Sequence, residues 1–216
     1  MKLEKILEIY NILEKETKKY KIPLEEQKEI KRKDPFFVLI GTILSARTKD
    51  QITKNVCDTL FLEVRDFKDL EKISLPALQK LIYPVGFYKQ KAKNLKKLAE
   101  QLREKEYKIP NTLEELIKLP GVGRKTANLV LDKAFDVPAV CVDIHVFRIT
   151  NRIGIVESKS PLETELLLKK ILPKKYWSKT NSVFVKLGQN VCFPRNPNCS
   201  KCIINKKCKK KNIRIT

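Results

Sequence analysis

The stretch LEELIKLPGVGRKTANLVL, Leu113–Leu131, decides the fold. Apolar residues recur at helical spacing on both sides of Leu119-Pro120-Gly121-Val122-Gly123, so two amphipathic helices flank a short turn. Proline and the two glycines punctuate it: Gly121 and Gly123 allow a sharp reversal and a close approach of backbone to a ligand. The second helix is expected to start at about Gly123 or Arg124. Its first N–H groups and the positive end of its dipole then favour a phosphate. A Gly-x-Gly turn between helices also occurs for structural reasons alone, so the motif needs support from the rest of the chain.

Working outward, the periodicity is helical nearly everywhere. Leu3, Ile6, Leu7, Tyr10, Ile12 and Leu13 set an apolar stripe on a first helix, and Asp34-Pro35 opens a second through FFVLIGTILSA, apolar on almost every face. Further segments are expected at about Asp50–Leu60, Leu75–Tyr83, Lys89–Lys105, Leu113–Lys118, Arg124–Phe135, Asp143–Arg152, Pro161–Leu172 and Trp177–Leu187. No two-residue alternation bounded by turns appears, so the expected class is all-α, with roughly ten short helices. There is no internal repeat, and the only low-complexity segment is the Lys-rich tail KKCKKKNIRIT.

The 216 residues carry 46 Lys plus Arg against 25 Asp plus Glu, a formal charge of +21. With a Debye length of about 8 Å in cellular salt, that excess acts through local patches, and nucleic acid is the commonest polyanion to meet them. A Lys-rich surface reflecting residue usage is the competing explanation. No apolar run approaches the roughly 20 residues of a membrane span, and the first 20 residues lack a signal-peptide core, so a cytoplasmic protein is expected. In a reducing compartment six cysteines point to metal or catalysis rather than to disulfides.

Four of the six stand in the frame Cys192-FPRNPN-Cys199-SK-Cys202-IINKK-Cys208. Thiolates so close, in a segment too short for a core of its own, can close around one metal centre that holds the segment together. Zinc and a [4Fe–4S] cluster are both possible; a single Cys-x-x-Cys pair tilts the choice towards iron–sulfur. Lys201, Lys206, Lys207, Lys209, Lys210 and Arg195 surround the frame, more cations than the thiolates need, and the surplus suits a phosphate-gripping surface. Cys57 and Cys141, in apolar contexts, read as buried structural thiols.

LPGVGRKTANLVL, then VDIHVFRITNR, then the C-x6-C-x2-C-x5-C frame resembles endonuclease III, the bifunctional pyrimidine-damage glycosylase of the helix-hairpin-helix superfamily, over nearly the whole chain. The resemblance implies two helical domains. Residues 28–137 would form a six-helix domain with the hairpin; 1–27 and 138–216 would form a domain carrying a [4Fe–4S] cluster on Cys192, Cys199, Cys202 and Cys208, within a loop over 188–210. It also implies a monomer acting on double-stranded DNA with damaged bases or abasic sites. Gly121, Val122, Gly123 and Arg124 would grip the backbone. The neutral amine of Lys125 would attack C1′ of a flipped-out nucleotide, displace the base, form a Schiff base and cut 3′ to the site by β-elimination. Asp143 would stabilise charge developing on the sugar and help move protons. Asp143 also reads as a helix cap, and both roles are compatible. His145, the sole histidine, is expected to make a structural hydrogen bond near the DNA rather than act as the base. Monofunctional relatives carry Ser or Tyr at the lysine position, so Lys125 argues for lyase activity.

The chain departs from the family pattern at LSARTKDQ, where Arg47 stands in place of the usual Gln that fills the gap left by the flipped base. Arginine fills and stacks too, but with charge and a leaning towards guanine acceptors. In Gly86-Phe87-Tyr88-Lys89, Phe87 is either a second wedge or a core residue. Lys89, Lys91 and Lys93 are candidate phosphate contacts. Three other readings remain: a mismatch- or uracil-directed glycosylase of the same superfamily, a non-catalytic DNA-binding module, and a redox protein built on the cysteines.

Overall fold

A computed structural model describes residues 1–20, 33–211 and 213. All regular structure among them is helical. Eleven α-helices follow in order: α1 (Leu3–Thr17), α2 (Pro35–Ser45), α3 (Asp50–Glu63), α4 (Phe67–Lys72), α5 (Leu75–Ile82), α6 (Tyr88–Arg103), α7 (Leu113–Leu116), α8 (Arg124–Ala134), α9 (Ile144–Ile153), α10 (Pro161–Ile171) and α11 (Trp177–Asn190). Short 3-10 turns lie at Lys174–Tyr176 and Cys199–Lys201. The chain divides into two compact units, Met1–Lys21 with Pro138–Thr216, and Ile22–Val137. The expected boundary between residues 27 and 28 lies outside the described residues.

In the unit Ile22–Val137, Asp34 caps α2 by accepting from Phe36 N at 2.8 Å, and Pro35 takes the first helical position, where no N–H is needed. The helix is apolar all round, as its burial requires: Phe36, Leu39, Ile40, Ile43 and Leu44 are buried, and it packs against α8. Edge-to-face rings extend this core, Phe36 to Phe67 at 4.9 Å and Phe37 to Phe61 at 4.7 Å. Helix α4 escaped the sequence reading, because six residues are too few to show a period. Its local signals are Asp66, which caps it by accepting from Asp69 N at 2.8 Å, and buried Phe67 and Leu70. Helix α7 is shorter than the expected Leu113–Lys118; past Leu116 the chain tightens into i→i+3 bonds, Lys118 N to Glu115 O and Leu119 N to Leu116 O, both 3.1 Å.

In the other unit, α1 packs against α11 and α9 lies beside α10 and α11. Tyr10 and Phe184 are fully buried with their rings edge to face at 5.3 Å, and Tyr10 Oη pairs with Thr180 Oγ1 at 3.1 Å. Removing a ring from such a core costs roughly 3–5 kcal/mol. Cys57 and Cys141 are buried, as their apolar surroundings foretold.

Candidate functional site

The turn between α7 and α8 is shaped by its glycines. Gly121 has φ 79°, which side chains rarely adopt, and a Cβ there would stand 3.2 Å from Asn94. Val122 is buried, and its N–H donates to Leu119 O at 3.1 Å. Gly123 is the N-cap of α8 with no side-chain cap, and the space where its Cβ would stand is open. The first N–H groups of this 11-residue helix thus have no capping side chain from Gly123, and a helix start of this kind suits an anion. Arg124 and Lys125 form its first two residues, and Lys125 is exposed.

Asp143 heads α9 in the other unit. Its Oδ1 accepts from His145 N at 2.8 Å and from Val146 N at 2.9 Å, so two backbone donors orient the carboxylate. The cap expected of Asp143 is therefore present. His145 Nδ1 lies 3.2 Å from an Arg148 amine and packs against Gly188, where any Cβ would collide with the ring.

Cys192, Cys199, Cys202 and Cys208, none of them in a disulfide, line one pocket, whose remaining walls include Ile149, Ile153 and Ile204. Burial and the neighbouring sulfurs push the Cys202 and Cys208 thiols up, which disfavours bare thiolates at these two positions. Among the described residues, no three His, Cys, Asp or Glu side chains are gathered tightly enough to hold a single metal ion. Two arginines of α9 brace the first cysteine. Arg148 donates to Cys192 O at 2.9 Å; buried Arg152 donates to Phe193 O at 2.6 Å and Pro194 O at 2.7 Å, and stands 3.5 Å from Cys192 Sγ. Both arginines lie within VDIHVFRITNR, yet the sequence reading assigned them no role. Helix α9 thus connects the cap that orients Asp143 to the cysteine segment. Of the surrounding lysines, Lys207 pairs with Glu8 at 2.7 Å and Lys211 with Glu157 at 2.6 Å. Lys207 is therefore not part of a cationic surplus.

The wedge candidates are both exposed, Phe87 to 65%. Phe87 is accordingly not a core residue. Both have left-handed backbone, Arg47 with φ 54° and Phe87 with φ 57°, and the Arg47 guanidinium lies 5.6 Å from the Phe87 ring centroid. Lys89 and Lys93 are exposed at the start of α6. Lys91 departs from expectation: it is buried, and its ammonium donates to Leu44 O, Ala46 O and Thr48 Oγ1 at 2.7, 2.6 and 3.1 Å, so it is no phosphate contact. Its sequence signal was available, since Lys91 falls in the stripe of Leu95, Leu98 and Leu102.

Residues 40–174 match the HhH-GPD superfamily base excision DNA repair protein family. Endonuclease III of Thermotoga maritima is 45% identical over 179 residues, covering 82% of this chain and 84% of that protein. A trapped endonuclease III–DNA covalent intermediate superposes with a TM-score of 0.87 and 34% identity, over 97% of both chains. A thermostable thymine-DNA glycosylase superposes at 0.80 with 27% identity, over 96% of this chain and 94% of that one. No helix among the described residues is long and apolar enough to cross a membrane. The chain belongs to the HhH-GPD superfamily of base excision DNA repair proteins and, within it, to the endonuclease III family of DNA glycosylases and abasic-site lyases.

Proposed function

We propose that this chain removes oxidised or otherwise damaged pyrimidines from duplex DNA through a Schiff base on Lys125, then cleaves 3′ to the abasic site. The observation that carries the reading is exposed Lys125 in the first turn of α8, directly after the Gly121–Gly123 turn. Backbone N–H groups there bind the phosphate and bring the amine to the sugar. The neutral amine forms a bond to C1′ as the base leaves. The displaced base takes up the proton that the amine sheds, and the C1′–O4′ bond then opens, with a proton to O4′, to give an iminium. This acidifies C2′–H, and loss of that proton breaks the C3′–O bond, the 3′ strand leaving on its phosphate oxygen. Asp143, held by two N–H donors, offsets positive charge on the sugar and relays protons. Gly121, Val122, Gly123, Arg124, Lys89, Lys93 and the His145 region contact DNA, while Arg47 and Phe87 enter the space vacated by the extruded nucleotide.

Cys192, Cys199, Cys202 and Cys208, which line one pocket, would hold a [4Fe–4S] cluster, and the cluster would supply a cross-link for a segment without a core of its own. Purified protein should then show broad visible absorbance and about four iron atoms per chain. One zinc without colour would assign the site to zinc.

Borohydride trapping tests the catalytic reading. The intact chain should be captured covalently on an abasic duplex, and Lys125→Ala should abolish capture; capture that survives the substitution rejects Lys125 as nucleophile. A second reading, mismatch-directed removal of thymine or uracil, is favoured by Arg47 and by the likeness to a thymine-DNA glycosylase. Faster release of thymine from a G·T pair than of thymine glycol would select it.

A further inference from the structure

Arg47 and Phe87 lie on separate loops, 40 positions apart in sequence, yet one small network joins them. Lys91 turns its ammonium beneath the end of α2 and donates to Leu44 O, Ala46 O and Thr48 Oγ1. That same Thr48 oxygen accepts from Gly86 N at 3.1 Å, and its hydroxyl donates to Ala46 O at 3.3 Å. One donor and two acceptor sites exhaust the hydroxyl's capacity, so the junction is fully used. The loops also press backbone to backbone: a Cβ on Gly86 would stand 2.6 Å from Arg47 O. Burial pushes Lys91 down to about 8, so at pH 7 it is still the ammonium that reaches three oxygens.

We propose that Lys91 and Thr48 are positioning residues, a latch that holds Arg47 and Phe87 in advance as one two-pronged wedge. The inference rests on the reading above that these two side chains enter the duplex. Both residues sit in a backbone region that L-residues avoid, and such strain persists only where surrounding contacts overdetermine it. The latch supplies those contacts. With it closed, insertion needs no ordering of two loops at the moment of binding; with it open, each loop relaxes and the guanidinium leaves the ring face.

Lys96 is the built-in control. On the same helix it donates to Leu70 O, Glu71 O and Ile73 O at 3.0, 2.6 and 2.8 Å, closing the end of α4 with no hydrogen bond to either wedge loop.

The test uses the full chain and a duplex with 2-aminopurine opposite a non-cleavable abasic analogue, so that fluorescence reports unstacking by the wedge. Thr48→Val and Lys91→Met should each raise the half-saturating concentration about tenfold and remove most of the fluorescence rise. Thr48→Ser, which keeps the hydroxyl, should behave as the native chain. Lys96→Met should lower the melting midpoint and leave the fluorescence response intact. The paired substitution Arg47→Ala with Phe87→Ala should abolish the response, and adding Lys91→Met to it should weaken binding no further. Native fluorescence and affinity in Thr48→Val, with the wedge pair still required, would overturn the latch alone. A full response without Arg47 and Phe87 would overturn the wedge reading, and the latch with it. Should Lys91→Met fail to fold, the two Thr48 variants still decide the matter.

Discussion

Two helix ends within the unit Ile22–Val137 are closed by the same device and lead to different things. Helix α2 ends at Ser45 and α4 at Lys72, and each is capped by a lysine of α6 that donates to three oxygens. A cation suits both places, because the last carbonyls of a helix lack partners and carry the negative end of its dipole. After α4 the chain passes through Ile73 (φ −63°) into Ser74 (φ −67°), which caps α5 by accepting from Ala77 N at 3.3 Å. After α2 it enters Arg47 at φ 54°, exposed and leaning on a strained phenylalanine of another loop. Lysine capping is therefore structural by default. What sets the end of α2 apart is the strain and the sharing of one cap, through Thr48, with a second loop.

The largest effect should separate the two lysines by stability. Lys91→Met leaves the buried Leu44 carbonyl without this donor and takes one of two donors from Ala46 O, and should lower unfolding free energy by about 2–3 kcal/mol in urea titrations. Lys96 is only half-buried and water can replace it, so Lys96→Met should lose about 1 kcal/mol. A reversed order would break the comparison. Next comes Arg47→Gly, which relieves the left-handed strain while deleting the wedge. Duplex affinity should fall about tenfold while stability stays within about 1 kcal/mol of the native value. A parallel loss of both would mean that Arg47 is structural.

The last test is in pH. Lys91 has a folded pKa of about 8 against about 10.4 in the unfolded chain, so between those values the unfolded chain binds more protons. Its contribution to stability is therefore least favourable below pH 8 and improves as pH rises towards 10. Urea midpoints at pH 7.5 and 9.5 should show this gain in the native chain relative to Lys91→Met. No such difference would mean that Lys91 is not desolvated as its position requires.

Much of the site was legible in the sequence because its determinants are local. Leu119-Pro120-Gly121-Val122-Gly123 announces a reversal, Asp34 and Asp143 announce helix starts, and four cysteines within 17 residues announce a shared centre. Each signal acts over a few residues, the range over which caps, turns and ligand spacing operate. Helix α4 fell below that range of legibility, being shorter than two turns. Roles that depend on packing were not legible. A lysine reads as surface until the fold buries it, and Lys91 acquires its role only where α6 passes beneath an α2 carbonyl 47 positions away. Arg148 and Arg152 likewise reach Cys192 and Phe193 across more than 40 positions. The sequence by itself determined an all-helical chain with a hairpin turn, a capped start for α9 and four closely spaced cysteines. Only the tertiary structure decided which cations are spent inside the protein, because a hydrogen-bond partner far along the chain exists only once the helices have packed.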